Sequence, residues 1–368
     1  MPFRVLVVYP RDVTTRIGLF EDGTDIMRRE IRHDENELAE FPHIADQWSH
    51  RLRALEELLS EWNPSEEALS FDAVISLAWL PRTYPYGVYL VDGDLFEYLN
   101  RSPFVISSSS LGAPLAEALS RFMGSVAYAV SAVSCSGMDP IARLSGLPEL
   151  PFGQTMRSLA VRDAVHRASM DLDIAFEEIS VLVACLGRNF TICAYSGGRT
   201  MDLSVSNERG PFSAAQPGAV PAAEIIRMAY SGLWSKDALL ENIMASGGMM
   251  GYTGNADPVE VSRDGLTGDM FAELVIRSMA YQVAQEISAQ ATMLYGNVDA
   301  IILTGYCAND GTFTDAICEG VSWITDKIIV YPGADKLMMM ANCAFRVLNG
   351  REKLLSFSDV GNSNLSRL

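Results

Sequence analysis

Two stretches of the chain share one alternation of apolar and polar positions. Val5–Val8 is a short apolar run. A polar turn, Pro10-Arg11-Asp12-Val13-Thr14, follows it, a second strand returns over Thr15–Phe20, and Asp22-Gly23 closes the unit. Val181–Leu186 leads in the same way through Gly187-Arg188-Asn189 to a returning strand, Phe190–Tyr195, and a Gly197-Gly198 turn. Short β-rich runs bounded by such turns read as hairpins. Two copies of one hairpin, each opening half of the chain, predict a duplicated domain with a cleft between the halves.

The rest of the pattern fills in each half. Thr24–Ile31 adds a third strand to the first hairpin. A helix over Ile44–Trp62 is predicted by Leu52, Leu55, Leu58 and Leu59 on one face, and Asn63-Pro64 ends it. Phe71–Leu77 is a short buried strand, followed by the aromatic, Pro-rich loop Trp79–Gly87. Helices are expected over Asp92–Leu99 and Leu111–Met123, the second capped by the serine run Ser107–Ser110, and a strand over Gly124–Ser134. The loop-like Pro140–Gly153 marks the boundary between lobes. A helix, Met156–Phe176, leads into the second hairpin. Beyond it come helices over Ala222–Tyr230 and Leu239–Ala245, then the longest, Gly268–Leu294. The face of that helix made by Leu274, Met279, Val283, Ile287 and Ala291 suits close packing. Strands at Asp299–Leu303 and Lys327–Tyr331 and a helix at Lys336–Leu348 complete the pattern. The expected division is 1–150, 151–355 and a frayed polar tail, 356–368.

Composition narrows the class. Apolar residues make up 49% of 368 residues, enough for large cores. A formal net charge of −18 argues against nucleic acid or an anionic membrane as partner. The first residues read as a strand rather than a signal peptide, and no apolar run is long enough to span a membrane, so a cytoplasmic protein is expected. Six cysteines show no zinc or disulfide spacing.

Five further pieces carry a resemblance: Ile141–Leu150, Gly210-Pro211-Phe212-Ser213, Met279–Ile287, Val298–Gly305 and Val330-Tyr331-Pro332-Gly333. With the order of elements, they resemble butyrate kinase, in the acetate kinase branch of the actin-like ATPases. The resemblance implies an α/β fold of two lobes, each a mixed five-stranded sheet flanked by helices. It also implies phosphoryl transfer from ATP to a carboxylate and dimerisation through the second lobe, where Gly268–Leu294 offers a surface. Such transfer is mostly positioning and charge neutralisation by magnesium, backbone amides and arginines.

The positions that carry this chemistry in the family are changed. The family's first turn, Asn-Pro-Gly-Ser-Thr-Ser-Thr-Lys, is Tyr9-Pro10-Arg11-Asp12-Val13-Thr14-Thr15-Arg16 here, with Asp12 repelling phosphate. The two arginines fall at Leu77 and Gln216, an aspartate at Ser131, and the glutamate near the metal at Asn342. The second turn, His-Leu-Gly-Gly-Gly, is Cys185-Leu186-Gly187-Arg188-Asn189. On the adenosine side, Gly247, Gly248, Gly254, Asp257, Thr304 and Gly305 match, with Gly187 kept in the turn, while Tyr306 replaces a glycine. No histidine is expected in the cleft.

The expected function is a butyrate kinase-like protein without phosphotransferase activity, a structural or regulatory subunit. It would form a homo- or hetero-oligomer through the C-terminal lobe, with an active paralogue or another enzyme. An active short- or branched-chain carboxylate kinase is the alternative: Arg11, Arg16, Arg82 and Arg188 would supply charge, and only then are ATP and magnesium cofactors. A third reading gives the cleft to another ligand or a soft metal at Cys135, Cys185, Cys307 and Cys343. The loop Trp79–Tyr86 is expected to plug an unused acyl pocket.

Overall fold

The computed structural model describes residues 2–62, 70–81, 84–101, 107–132, 138–152, 158–333 and 335–360. Packing divides the chain into two units, Met1–Ser136 with Asp335–Leu368, and Gly137–Ala334. The expected boundary at 150 therefore falls inside the second unit, and the last helix returns to the first.

Unit 1 opens with the predicted meander, β1 (Arg4–Pro10), β2 (Thr14–Glu21) and β3 (Thr24–Arg32). Helices α1 (Glu35–Ala39) and α2 (Trp48–Trp62) precede β4 (Ala73–Ala78) and β5 (Val88–Leu90). Then come α3 (Gly93–Arg101), α4 (Gly112–Met123) and β6 (Val126–Ser131). α13 (Lys336–Leu348) and β12 (Leu354–Leu355) finish the unit, after the elements of unit 2. The sheet runs β12-β5-β6-β4-β1-β2-β3. β1 pairs antiparallel with β2 and parallel with β4. Leu6, Val8, Ile17 and Val74 meet Leu55 and Leu59 of α2 and Leu115 and Leu119 of α4. α13 lies on β1, β2 and β4. Gly18 makes room for the Phe20 ring, since a Cβ there would stand 2.7 Å from it.

Unit 2 holds α5 (Pro140–Arg143), α6 (Ser158–Leu172), β7 (Val181–Leu186), β8 (Phe190–Ser196) and β9 (Arg199–Val205). Then come α7 (Ala222–Tyr230), α8 (Lys236–Met244), α9 (Gly248–Thr253), α10 (Pro258–Leu266) and α11 (Met270–Ala291). β10 (Ala300–Gly305), α12 (Gly311–Val321) and β11 (Ile328–Pro332) close it. The sheet order is β11-β10-β7-β8-β9. Alternate residues of its strands face two cores, as the period of a strand requires. Leu182, Ala184, Ile301 and Leu303 pack with α11 and α12, while Val181, Val183, Ala300 and Ile302 pack with α6.

The duplication is visible in these orders: β3-β2-β1-β4-β6 corresponds to β9-β8-β7-β10-β11. The first sheet has seven strands rather than the expected five, because β5 and β12 extend its edge. They pair with each other through Leu354↔Val88 and Leu355↔Tyr89. The segment after β12 is ordered by aromatic contact. Phe357 stacks on Tyr84 at 4.8 Å between ring centroids and tilts against Tyr98 at 4.8 Å, and Ser358 donates to Asp94. Residues 356–360 are thus part of unit 1 rather than a frayed tail; residues 361–368 lie outside those described.

Two local expectations change. Ser107–Ser110 gives α4 no side-chain cap and instead contributes a 3-10 turn over Ser108–Leu111. Met279, Val283, Ile287 and Ala291 of α11 are buried in the core of unit 2, while Leu274 is 60% exposed on the other side. The small-residue face is used inside the unit.

Phe357→Ala removes one ring from a three-ring stack, and it should lower the stability of unit 1 by about 1–2 kcal/mol in urea unfolding. Ser358→Ala should stay within about 0.5 kcal/mol of the parent. Equal midpoints for Phe357→Ala and the parent would contradict the packing of this segment.

Candidate functional site

In unit 1 the site positions gather at the carboxyl ends of β1, β4 and β6. The β1–β2 turn is closed by the Arg11 amide donating to the Thr14 carbonyl at 2.7 Å. Its shape depends on a residue that lies 40 positions away in sequence. Arg51 of α2 is fully buried. It donates to the carbonyls of Arg11 at 2.9 Å, Asp12 at 2.7 Å and Thr14 at 3.2 Å, and to Thr15 Oγ1 at 3.2 Å. Gln47 Oε1 takes another of its protons at 3.0 Å. Burial lowers the Arg51 pKa to about 10, against the pull of Asp12, so the group is charged at neutral pH. The fourth turn carbonyl, of Val13, accepts from the His33 amide at 2.9 Å.

Sequence reasoning missed both residues. Residues 51, 55 and 59 share the buried stripe of α2, so helical spacing from Leu55 and Leu59 pointed to Arg51. His33 follows β3, and its Nε2 is 2.8 Å from Thr15 Oγ1. Burial, with Arg51 and His50 nearby, brings its pKa down to about 4.

The positions that the resemblance assigns in unit 1 are placed as follows. Tyr9 accepts from Lys336 Nζ at 2.7 Å. Leu77 is buried in β4 opposite Val130. Ser131 is fully buried, and its hydroxyl accepts from the Gly87 amide at 3.2 Å. Asn342 is half-buried in α13. Asp12 and Arg11 are exposed on the turn, while Arg16 pairs with Glu30. Arg82 lies outside the described residues. In the aromatic loop, Trp79 donates to Ser109 Oγ at 3.1 Å and Tyr89 to the Pro85 carbonyl at 2.7 Å.

In unit 2 the β7–β8 turn is bound from behind as well. The Arg188 carbonyl accepts from Ser213 Oγ at 3.0 Å and from the Ala215 amide at 3.2 Å. The Gly187 carbonyl accepts from Cys307 Sγ at 3.3 Å. Two side chains of this region turn to the end of α8. Gln216, 3% exposed, donates to the Met244 carbonyl at 3.3 Å, and Arg188 to the Ala245 carbonyl at 3.2 Å.

The retained adenosine-side residues do come together, and each has a use in the fold. Gly248 has φ +60°, and a Cβ there would collide with the Ser213 carbonyl. The Gly247 amide donates to Ala215 at 3.1 Å. Gly254 ends α9 in the left-handed region, which glycine reaches at little cost. Thr304 is buried in β10 beside Cys185. Gly305, at φ +104°, lets β10 end against Leu186, whose carbonyl oxygen would be 2.6 Å from a Cβ. Asp257 caps α10 by accepting from the Val259 amide at 2.9 Å, and its other oxygen accepts from Tyr306 Oη at 2.8 Å. That hydrogen bond raises the Tyr306 pKa.

Cys185 and Cys307 belong to cores on opposite faces of the unit 2 sheet, Cys343 to unit 1, and Cys135 lies outside the described residues. Burial pushes the Cys307 thiol up to about 12, away from the thiolate that binds metal. No group of three His, Cys, Asp or Glu suited to a metal occurs among the described residues. Nor, among them, is any helix long and apolar enough to cross a membrane.

A family model described as the acetokinase family matches residues 163–325, within unit 2. Over nearly the whole length the chain is 33% identical to a protein from Caldanaerobacter subterraneus subsp. tengcongensis named as a probable butyrate kinase 2, covering 95% of this chain and 98% of that protein. It is 30% identical to butyrate kinase 2 of Clostridium acetobutylicum, over 96% and 99% of the two chains. The chain belongs to the butyrate kinases of the acetokinase family. The crystal structure of Porphyromonas gingivalis acetate kinase superposes with a TM-score of 0.75 at 16% identity, covering 94% of this chain and all of that one. The Entamoeba histolytica acetate kinase gives 0.70 at 13% identity, over 92% and 98%. The fold is therefore that of the actin-like ATPases, with mixed sheets of seven and five strands.

Two outcomes follow from the first turn. Arg51→Met strands the Arg11 and Asp12 carbonyls and weakens the hold on Thr14, and should cost about 3 kcal/mol or more, seen as a lower melting temperature, with Arg51→Lys recovering part. An unchanged melt would contradict the clamp. His33 takes up its proton more readily when unfolded, so stability is full above about pH 6.5 and falls as pH drops toward 4. The loss approaches about 3 kcal/mol. His33→Gln should flatten that part of the pH profile, and a parent profile already flat there would contradict a buried neutral imidazole.

Proposed function

We propose that this butyrate kinase-like chain has lost phosphoryl transfer from ATP to carboxylates and acts in the cytoplasm as a structural or regulatory subunit. It assembles through its C-terminal unit with a second copy, an active paralogue or another enzyme. One observation carries the reading. The two positions where the family resemblance places arginines hold Leu77, buried in a strand, and Gln216, buried with its amide on the Met244 carbonyl. Neither can meet the charge that develops on a transferring phosphoryl group. Loss of one such arginine costs about 10³-fold or more in rate. Asp12 on the first turn and Tyr306 on Asp257 support the same conclusion.

The second reading, an active carboxylate kinase with a rebuilt site, has one observation in its favour. Arg11 is exposed on the first turn, and all four of that turn's carbonyls are held by internal donors. Only in this reading are ATP and magnesium cofactors of the chain.

Calorimetric titration of the purified chain with ATP and magnesium separates the two. The expected result is no saturable heat at millimolar nucleotide. Saturable, magnesium-dependent binding that weakens on Arg11→Ala would replace the first reading with the second.

A further inference from the structure

Residues 353–360 meet unit 1 along one edge of its sheet. The chain leaves α13 and is pinned once, where Arg346 Nε donates to Glu352 at 2.9 Å and the Glu352 amide donates to the Arg346 carbonyl at 3.1 Å. Lys353 is exposed. Beyond it the segment adds β12 to the edge of β5, and residues 357–360 are helical.

Its side chains enter separate places in a groove between β5 and α3. Gly87 leaves room for Leu355, since a Cβ there would stand 2.5 Å from a Leu355 methyl. Phe357 is held by two tyrosines, with ring centroids 4.8 Å from Tyr84 and 4.8 Å from Tyr98. Ser358 donates to Asp94 of α3. Beneath these contacts lie the buried Tyr89, Leu95 and Leu99. Strand addition supplies main-chain bonds at a sheet edge, and pockets for individual side chains supply selectivity. Both are present here, and the occupant is a segment of the chain itself.

We infer that this groove is a docking site for a segment of a partner protein, with residues 353–360 as its tethered competitor. The partner segment would carry an aliphatic residue, an aromatic residue two positions on and a hydroxyl directly after it, the spacing of Leu355, Phe357 and Ser358. Three observations favour exchange over a permanent seat. The paired strand is two residues long. None of residues 351–360 is buried, so leaving the groove disrupts no core of the segment's own. Once it leaves, β5 becomes the sheet edge and offers its unpaired backbone groups to an incoming strand. The groove lies wholly in unit 1, so the inference stands apart from assembly through the C-terminal unit. It gives a structural or regulatory subunit a second, selective contact.

Fluorescence anisotropy with a labelled synthetic peptide of residues 353–360 tests this. The full chain carrying Leu355→Ala with Phe357→Ala keeps the groove and loses the competitor. It should bind the peptide saturably. The parent should bind at least about 10-fold more weakly, because a segment tethered nearby competes at roughly millimolar effective concentration. Tyr98→Ala added to the double variant should abolish binding, as should Phe357→Asp in the peptide, since both spoil the ring contacts. Phe357→Leu alone replaces the double variant if the latter loses its cooperative melt. A folded variant that leaves the peptide free at millimolar concentration overturns the inference. So does equal binding of the intact and Phe357→Asp peptides, or equal binding by parent and variant.

Discussion

Arg51 directs a buried positive charge at the backbone of the first turn rather than at a ligand, and much of unit 1 follows from that choice. A guanidinium taken out of water needs acceptors for its protons. It finds them in the carbonyls of Arg11, Asp12 and Thr14, with Thr15 and Gln47. Those contacts tie α2 to the β1–β2 turn. The buried positive charge also lowers the proton affinity of its neighbour, which, after burial itself, is a reason His33 stays neutral. The β7–β8 turn is held by the same logic with neutral donors, Ser213, Ala215 and Cys307. In both units the turn backbone is fixed from within.

Fixed turns do not make a catalyst. Phosphoryl transfer needs mobile negative charge to be met by cations as it shifts, and a dry site amplifies any mismatch. Here Leu77 and Gln216 are neutral and buried, the Gln216 amide on the Met244 carbonyl, and the carboxylate of Asp12 is exposed on the first turn. The frame of a butyrate kinase is kept because its glycines and strand residues serve packing. Gly248 and Gly305 approach backbone atoms that no Cβ could tolerate, whether or not nucleotide binds. Glycine is required at such positions by packing alone.

Much of this was legible in the chain. The paired hairpins came from alternation and turn glycines, and Ala222–Tyr230 and Lys336–Leu348 appear with the predicted bounds. What escaped has physical causes. β5 and β12 have three and two residues, too few for a period of two to show. The order of residues 356–360 depends on ring contacts with Tyr84 and Tyr98, which no local pattern encodes. Arg51 was hidden because an arginine on an apolar stripe reads as an interruption until its acceptors are known. α11 carries apolar residues on its buried and outer sides alike, so its pattern could not tell core from free surface. Which residue stands at each position that the resemblance assigns is, by contrast, a property of the sequence itself.

Phosphorus NMR of ATP, magnesium and butyrate incubated with the chain for hours addresses the central claim most directly. The account predicts that the three ATP resonances persist unchanged, with neither ADP nor an acyl phosphate formed above a protein-free control. Accumulation of ADP and butyryl phosphate in equal amounts, over many turnovers per protein molecule, would contradict it.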